Sequence, residues 1–139
     1  MDGAGIAAAL ALGAQAAQLG TGFHSLPESG AAQVHKDLLV KSTEDDTGIT
    51  EKFSGKPARG IVNRFMKEME NGATLAFPAQ NAVTGKLRQA SAKAGKPDFI
   101  ALWAGQAMPL ARALARRGAH RPPRRGNRAS PETPERPDP

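Results

Sequence analysis

Gln18-Leu19-Gly20-Thr21 is the short run of this 139-residue chain whose residue types fit a chemical task. A glycine lets another group approach the backbone closely, and neighbouring N–H groups can then point at an anion such as a phosphate oxygen. Thr21 adds a hydroxyl donor at the next position. The same four residues also make an ordinary tight turn with no ligand, and their chemistry alone leaves both readings open.

Other reactive side chains do not assemble. There is no cysteine, so disulfides and thiolate chemistry are excluded, in keeping with a cytoplasmic protein. His24, His35 and His120 share no metal-ligand spacing. His35 falls on an expected helix and is assigned to the surface, whereas His24 follows the Gly-Thr turn and could face a site there. Glu44-Asp45-Asp46 and the pair Glu68 and Glu70 show no acid–base spacing. Gly3-x-Gly5-x-x-Ala8 imitates a dinucleotide fingerprint, but that motif follows a strand and needs an acid about 20 residues later. Too few residues precede Gly3 for such a strand, and Glu28 sits in a Pro-Gly loop. Gly48 to Lys56 lacks P-loop spacing, with Pro57 where Ser or Thr is required.

The elements that must position the turn follow from apolar pattern and punctuation. Asp2 caps a helix that runs through Ala7–Leu12, and Gly13 ends it. The apolar run over 4–12 has no preceding Lys or Arg and is too short to span a bilayer, so it reads as a buried helix. Ala14 to Leu19 is expected as a short strand buried on both faces, as in a parallel sheet. A helix follows over Ala31–Lys41, then a polar stretch in which Ile49 and Phe53 make a short strand or turn. Lys56 to Gly60 reads as a loop. Ile61 to Asn71 is the clearest helix, with Ile61, Val62, Phe65, Met66 and Met69 as an apolar stripe assigned to the core. Thr84–Lys93 and Asp98–Leu114 complete the helical patterns.

Net charge is +6, but eight arginines against three acidic residues put +5 of it in residues 112–139. That Pro- and Arg-rich stretch has no apolar period and is expected to be disordered. Its composition resembles translation of a GC-rich frame in the wrong register, which points to a frameshifted C-terminus. A different class of function is a small helical, non-enzymatic protein whose basic arm binds nucleic acid by phosphate neutralisation. The arm lacks aromatics for base stacking, which argues against that reading.

Taken as a whole, DGAGIAAALALGAQAAQLGTGFHSLPESG (2–30) resembles the C-terminal part of the nitronate monooxygenase family, formerly 2-nitropropane dioxygenases. FSGKPARGIVNRFM (53–66), FPAQN (77–81) and LWAGQ (102–106) continue the resemblance in order. It implies an α/β fold, part of a TIM (β/α)8 barrel comprising the last strand and C-terminal helices over 1–111. A whole barrel typically takes about 250 residues, so this chain alone is too short to close one. The family cofactor is FMN, and the resemblance places its phosphate on Gln18, Leu19, Gly20 and Thr21. The family reaction converts an alkyl nitronate and oxygen to a carbonyl compound and nitrite. The family's catalytic histidine and the other phosphate-loop glycines lie in upstream blocks with no counterpart here. The resemblance therefore implies a fragment without a catalytic residue, inactive alone or completed by a separately encoded half. Open sheet edges would then invite association.

Overall fold

The computed structural model describes residues 2–111. The proposed disorder, frameshift and nucleic-acid arm of 112–139 lie outside the described residues, as does His120. Helix α1 spans Gly3–Ala11, with the Asp2 carboxylate accepting from the Gly5 N–H at 3.0 Å. Gly13 closes it at φ +97°, a conformation that L side chains adopt rarely. The expected burial of this helix is not found: none of its residues is buried, and Leu12 beyond it is 90% exposed.

The expected strand over 14–19 is likewise not formed. The segment is irregular and largely exposed, with only Ala17 and Leu19 partly covered. A strand is stabilised by pairing, and alanine has little intrinsic tendency to be extended. Among the described residues no neighbouring strand pairs with 14–19.

After α2 (Thr21–His24), helix α3 spans Gln33–Lys41 and turns His35 and Leu39 into the interior. A 3-10 turn over Glu44–Asp46 precedes an antiparallel hairpin of β1 (Thr47–Thr50) and β2 (Ala58–Ile61), in register Thr50 to Ala58 and Gly48 to Gly60. The stretch read as a loop at 56–60 is thus half strand. Residues 102–104 lie along the other edge of β2. Ile61 donates to the Leu102 carbonyl at 2.8 Å, Ala104 donates to the Arg59 carbonyl at 3.1 Å, and Gly60 bridges Trp103. This approach needs glycine: a Cβ at position 60 would stand 2.7 Å from the Leu102 oxygen.

Helix α4 is only Arg64–Glu68, shorter than the 61–71 helix expected, because Ile61 belongs to β2. The apolar stripe nevertheless goes to the core as assigned. Ile61 joins Leu39, Ile100, Leu102, Ala104 and Met108 in one cluster, and Phe65 and Met66 join Phe53 in a second. Helix α5 (Ala79–Lys93) begins earlier than expected and buries a polar face of Gln80, Thr84 and Ser91. Thr84 Oγ1 donates to the Phe53 carbonyl at 2.6 Å, and Ser91 Oγ donates to the Lys96 carbonyl at 2.7 Å. The helix expected over 98–114 is replaced, as far as Ala111, by 3-10 turns at Pro97–Phe99 and Met108–Leu110 around the strand-like 102–104. Backbone pairing with β2 satisfies this stretch instead of a helix, and Pro109 has no N–H to give at an interior helical position.

Candidate functional site

Gly20 immediately precedes α2, and its carbonyl accepts from the N–H groups of Phe23 and His24 at 3.0 and 3.3 Å. The segment therefore turns sharply there, and the first N–H groups of the turn have no partner within it. A Cβ built on Gly20 would meet no atom within 4 Å, so the backbone faces open space at this point. Gln18 and Gly20 are exposed, while Leu19 and Thr21 are half-buried. The four residues read from the sequence are contiguous at one corner of the surface.

Thr21 is tied to a distant part of the chain. Its Oγ1 accepts from the Gly105 N–H at 2.9 Å across 84 residues of sequence. Thr21 Oγ1 donates no hydrogen bond among the described residues, so its hydrogen is available. The loop after α2 is fixed by its own polar groups. Ser29 Oγ donates to the His24 carbonyl at 2.7 Å, and Lys36 Nζ donates to the carbonyls of Pro27 and Ser29, each at 3.0 Å. Lys36 is thereby committed to the loop. An anion at Gly20 would meet N–H and O–H donors rather than that lysine.

The histidines take places that spacing did not show. His35 is buried, at 5% exposure, and is not the surface residue expected. It can be buried because Nε2 lies 3.1 Å from the Trp103 carbonyl, which requires the hydrogen on that nitrogen. His24 packs edge-on against His35 with ring centroids 5.5 Å apart, and its Nδ1 is buried without a partner. Burial holds the His35 imidazole below its ordinary value, the adjacent His24 adds to the depression, and the Trp103 carbonyl opposes both. Trp103 itself is a packing residue, its indole edge-on to Phe53 at 5.6 Å.

A cleft of about 490 Å³ lies elsewhere, between Leu38, Ile61, Arg64, Asp98 and Leu102. Three of its polar side chains, Asn63, Arg64 and Glu68, are already paired. Asn63 Nδ2 donates to the carbonyls of Pro97 and Ile100, and Arg64 meets Glu68 at 2.6 Å. Among the described residues no three His, Cys, Asp or Glu side chains gather as a metal site, and no helix is long and apolar enough to cross a membrane. Sequence reasoning missed Gly105, the partner of Thr21. The LWAGQ block was the only signal that could have pointed to it, and that block carries no role by itself.

Comparison with known proteins gives a consistent result. The family model described as nitronate monooxygenase matches residues 1–116. A probable nitronate monooxygenase of Staphylococcus aureus (strain Newman) is 43% identical over 113 residues, which are 80% of this chain and 32% of that protein. The counterpart from strain JH9 is 42% identical over the same length. Among solved structures, nitroalkane oxidase from Streptomyces ansochromogenes superposes with a TM-score of 0.78 and 48% identity, covering 83% of this chain and 33% of that one. FabK from Thermotoga maritima superposes with a TM-score of 0.62 and 33% identity, covering 82% and 37%. The chain spans about a third of the length of the curated relatives it matches. With a family model covering most of its length, the chain belongs to the nitronate monooxygenase family.

Proposed function

We propose that this chain provides the phosphate-holding corner of an FMN-dependent nitronate monooxygenase. One observation carries the reading: Gly20 opens onto free space at the start of α2, beside a Thr21 hydroxyl whose hydrogen is uncommitted. These features fit a flavin phosphate. A phosphate oxygen can approach the backbone at Gly20 where a side chain would stand, and N–H and O–H donors meet it. Gln18, Leu19, Gly20 and Thr21 would hold that group, with Gln18 and Leu19 as the approach to the turn.

In this reading residues 1–111 are the C-terminal part of a TIM-barrel domain, in which phosphate groups are often held by the loops after the last strands. The segment 14–19 takes the position of a barrel strand, which would pair once a neighbouring strand is supplied. A bound flavin would carry electrons from a small alkyl nitronate toward oxygen, giving a carbonyl compound and nitrite; the protein's share is binding and orientation. No proton-transfer step is assigned to this chain: His35 is bonded to Trp103 and His24 is packed against His35. The chain alone is therefore expected to turn over no nitronate. The cytoplasm, with FMN and oxygen at hand, is the compartment this reading favours.

The test is an FMN titration of the chain followed by flavin fluorescence, alongside a nitrite assay with an alkyl nitronate. Saturable binding that Gly20→Val abolishes, without nitrite release, supports the reading. Binding indifferent to Gly20→Val, or turnover by the chain alone, contradicts it.

A further inference from the structure

We propose that Gly105 is a positioning residue for the flavin phosphate, acting through the Thr21 hydroxyl; this rests on the phosphate reading of the corner. A hydroxyl has one hydrogen and two lone pairs. The Gly105 N–H occupies one lone pair of Thr21 Oγ1 at 2.9 Å, and the hydrogen then points in another direction, free to donate to a ligand oxygen. Without that bond, a threonine in the first turn of a helix can turn its hydroxyl back on nearby backbone groups. Gly105 thus selects the orientation in which Thr21 is useful.

The donor is well anchored. Ala104, the preceding residue, donates to the Arg59 carbonyl on β2 at 3.1 Å. The Trp103 carbonyl contacts the His35 ring, and the Gly105 carbonyl accepts from Met108 at 3.0 Å. The edge of the hairpin therefore fixes the Gly105 N–H, and through it a side chain 84 residues away. What matters at position 105 is the N–H rather than the missing side chain. Gly105 is not among the glycines with positive φ, and a Cβ there would meet Thr21 Oγ1 at 3.7 Å, an ordinary contact.

The experiment compares FMN with riboflavin, which lacks the phosphate, by fluorescence titration of the full chain. Gly105→Pro removes the N–H, and Gly105→Ala keeps it. The expected result is about fivefold weaker FMN binding by Gly105→Pro, the share of one ordinary hydrogen bond, with riboflavin binding unchanged and Gly105→Ala like the parent. In a Thr21→Val background Gly105→Pro is expected to have no further effect, because the two act through one bond. Equal loss for FMN and riboflavin, or an undiminished proline effect in Thr21→Val, would overturn the proposal and leave Gly105 a structural residue. A parent chain that binds FMN no better than riboflavin would instead overturn the phosphate reading, and this inference with it. Should Gly105→Pro not fold, the Gly105 amide resonance of the parent decides: it is expected to move on adding FMN but not riboflavin, and with neither in Thr21→Val. An amide indifferent to FMN overturns the proposal.

Discussion

The imidazole Nε2 of His35 lies 3.1 Å from the carbonyl oxygen of Trp103, joining α3 to the segment that runs beside β2. This is a hydrogen bond from a buried, neutral ring, and the packing of His24 on the same ring adds a reason for it to remain neutral.

Stability is therefore expected to fall on mild acidification. The folded-state value of His35 is lowered, so as pH drops through the ordinary histidine value near 6.5 the unfolded chain takes up a proton that the folded chain resists. The loss grows until the lowered folded value is passed and then levels off. Thermal melts at pH 7.5 and 5.5 check this: His35→Gln, which keeps a donor for the Trp103 carbonyl, is expected to show a smaller pH difference. An unchanged difference would show that His35 does not control it.

Asn63 is expected to be among the most sensitive polar positions. It is 8% exposed, its Oδ1 accepts from the Met66 N–H at 3.2 Å, and its Nδ2 donates to the carbonyls of Pro97 and Ile100 at 2.9 and 2.8 Å. Asn63→Ala loses a helix cap and takes the side-chain donor from the buried Ile100 carbonyl, while the Pro97 carbonyl keeps the Ile100 N–H, for a destabilisation of roughly 2–4 kcal/mol. Asn63→Asp keeps the cap but not the donors. In urea denaturation it should therefore also be less stable than the parent. Parental stability for the Asp variant would show that the two carbonyl bonds contribute little.

Two glycines with positive φ should respond differently to alanine. Gly13 at φ +97° has open space where a Cβ would stand, with no atom within 4 Å, so Gly13→Ala carries only the conformational penalty of about 1–2 kcal/mol. Gly55 at φ +81° would put that Cβ 2.5 Å from the Leu75 oxygen and 2.6 Å from the Phe77 nitrogen. Both neighbours are backbone, which cannot move aside as a side-chain tip would. Gly55→Ala is expected to lower the urea midpoint clearly more than Gly13→Ala, and equal midpoints would refute the steric account.

Phe53 is 1% exposed, stacked on Phe65 at 4.6 Å and edge-on to Trp103. Phe53→Ala is expected to destabilise by about 3–5 kcal/mol. Because Trp103 is the sole tryptophan, its emission reports the cavity directly and should shift to the red. A parental emission spectrum in a folded variant would contradict the packing described.

Local chemistry is what the residues themselves reveal. Asp2 capping α1 and Gly13 closing it follow from residue type, and so does the inward stripe of Ile61, Phe65 and Met66. The features that stay hidden depend on contacts across the chain. Arg59-Gly60 looks like a loop until Leu102 lies against it, and the true start of α5 is hidden because its buried face is Gln80, Thr84 and Ser91 instead of an apolar stripe. His35 reads as a surface residue because its partner is a backbone carbonyl 68 residues away. The turn at Gly20 is legible from its own residues; the Gly105 bond to Thr21 is not.

The most direct test of the central claim is a map of backbone amide resonances during titration of the isotopically labelled chain with FMN. The account predicts saturable shifts concentrated at Gly20, Thr21 and Gly22, with a smaller response at Gly105 and none along the cleft between Leu38 and Asp98. Shifts centred on that cleft, or no shifts in a folded chain, would contradict the assignment of the phosphate corner.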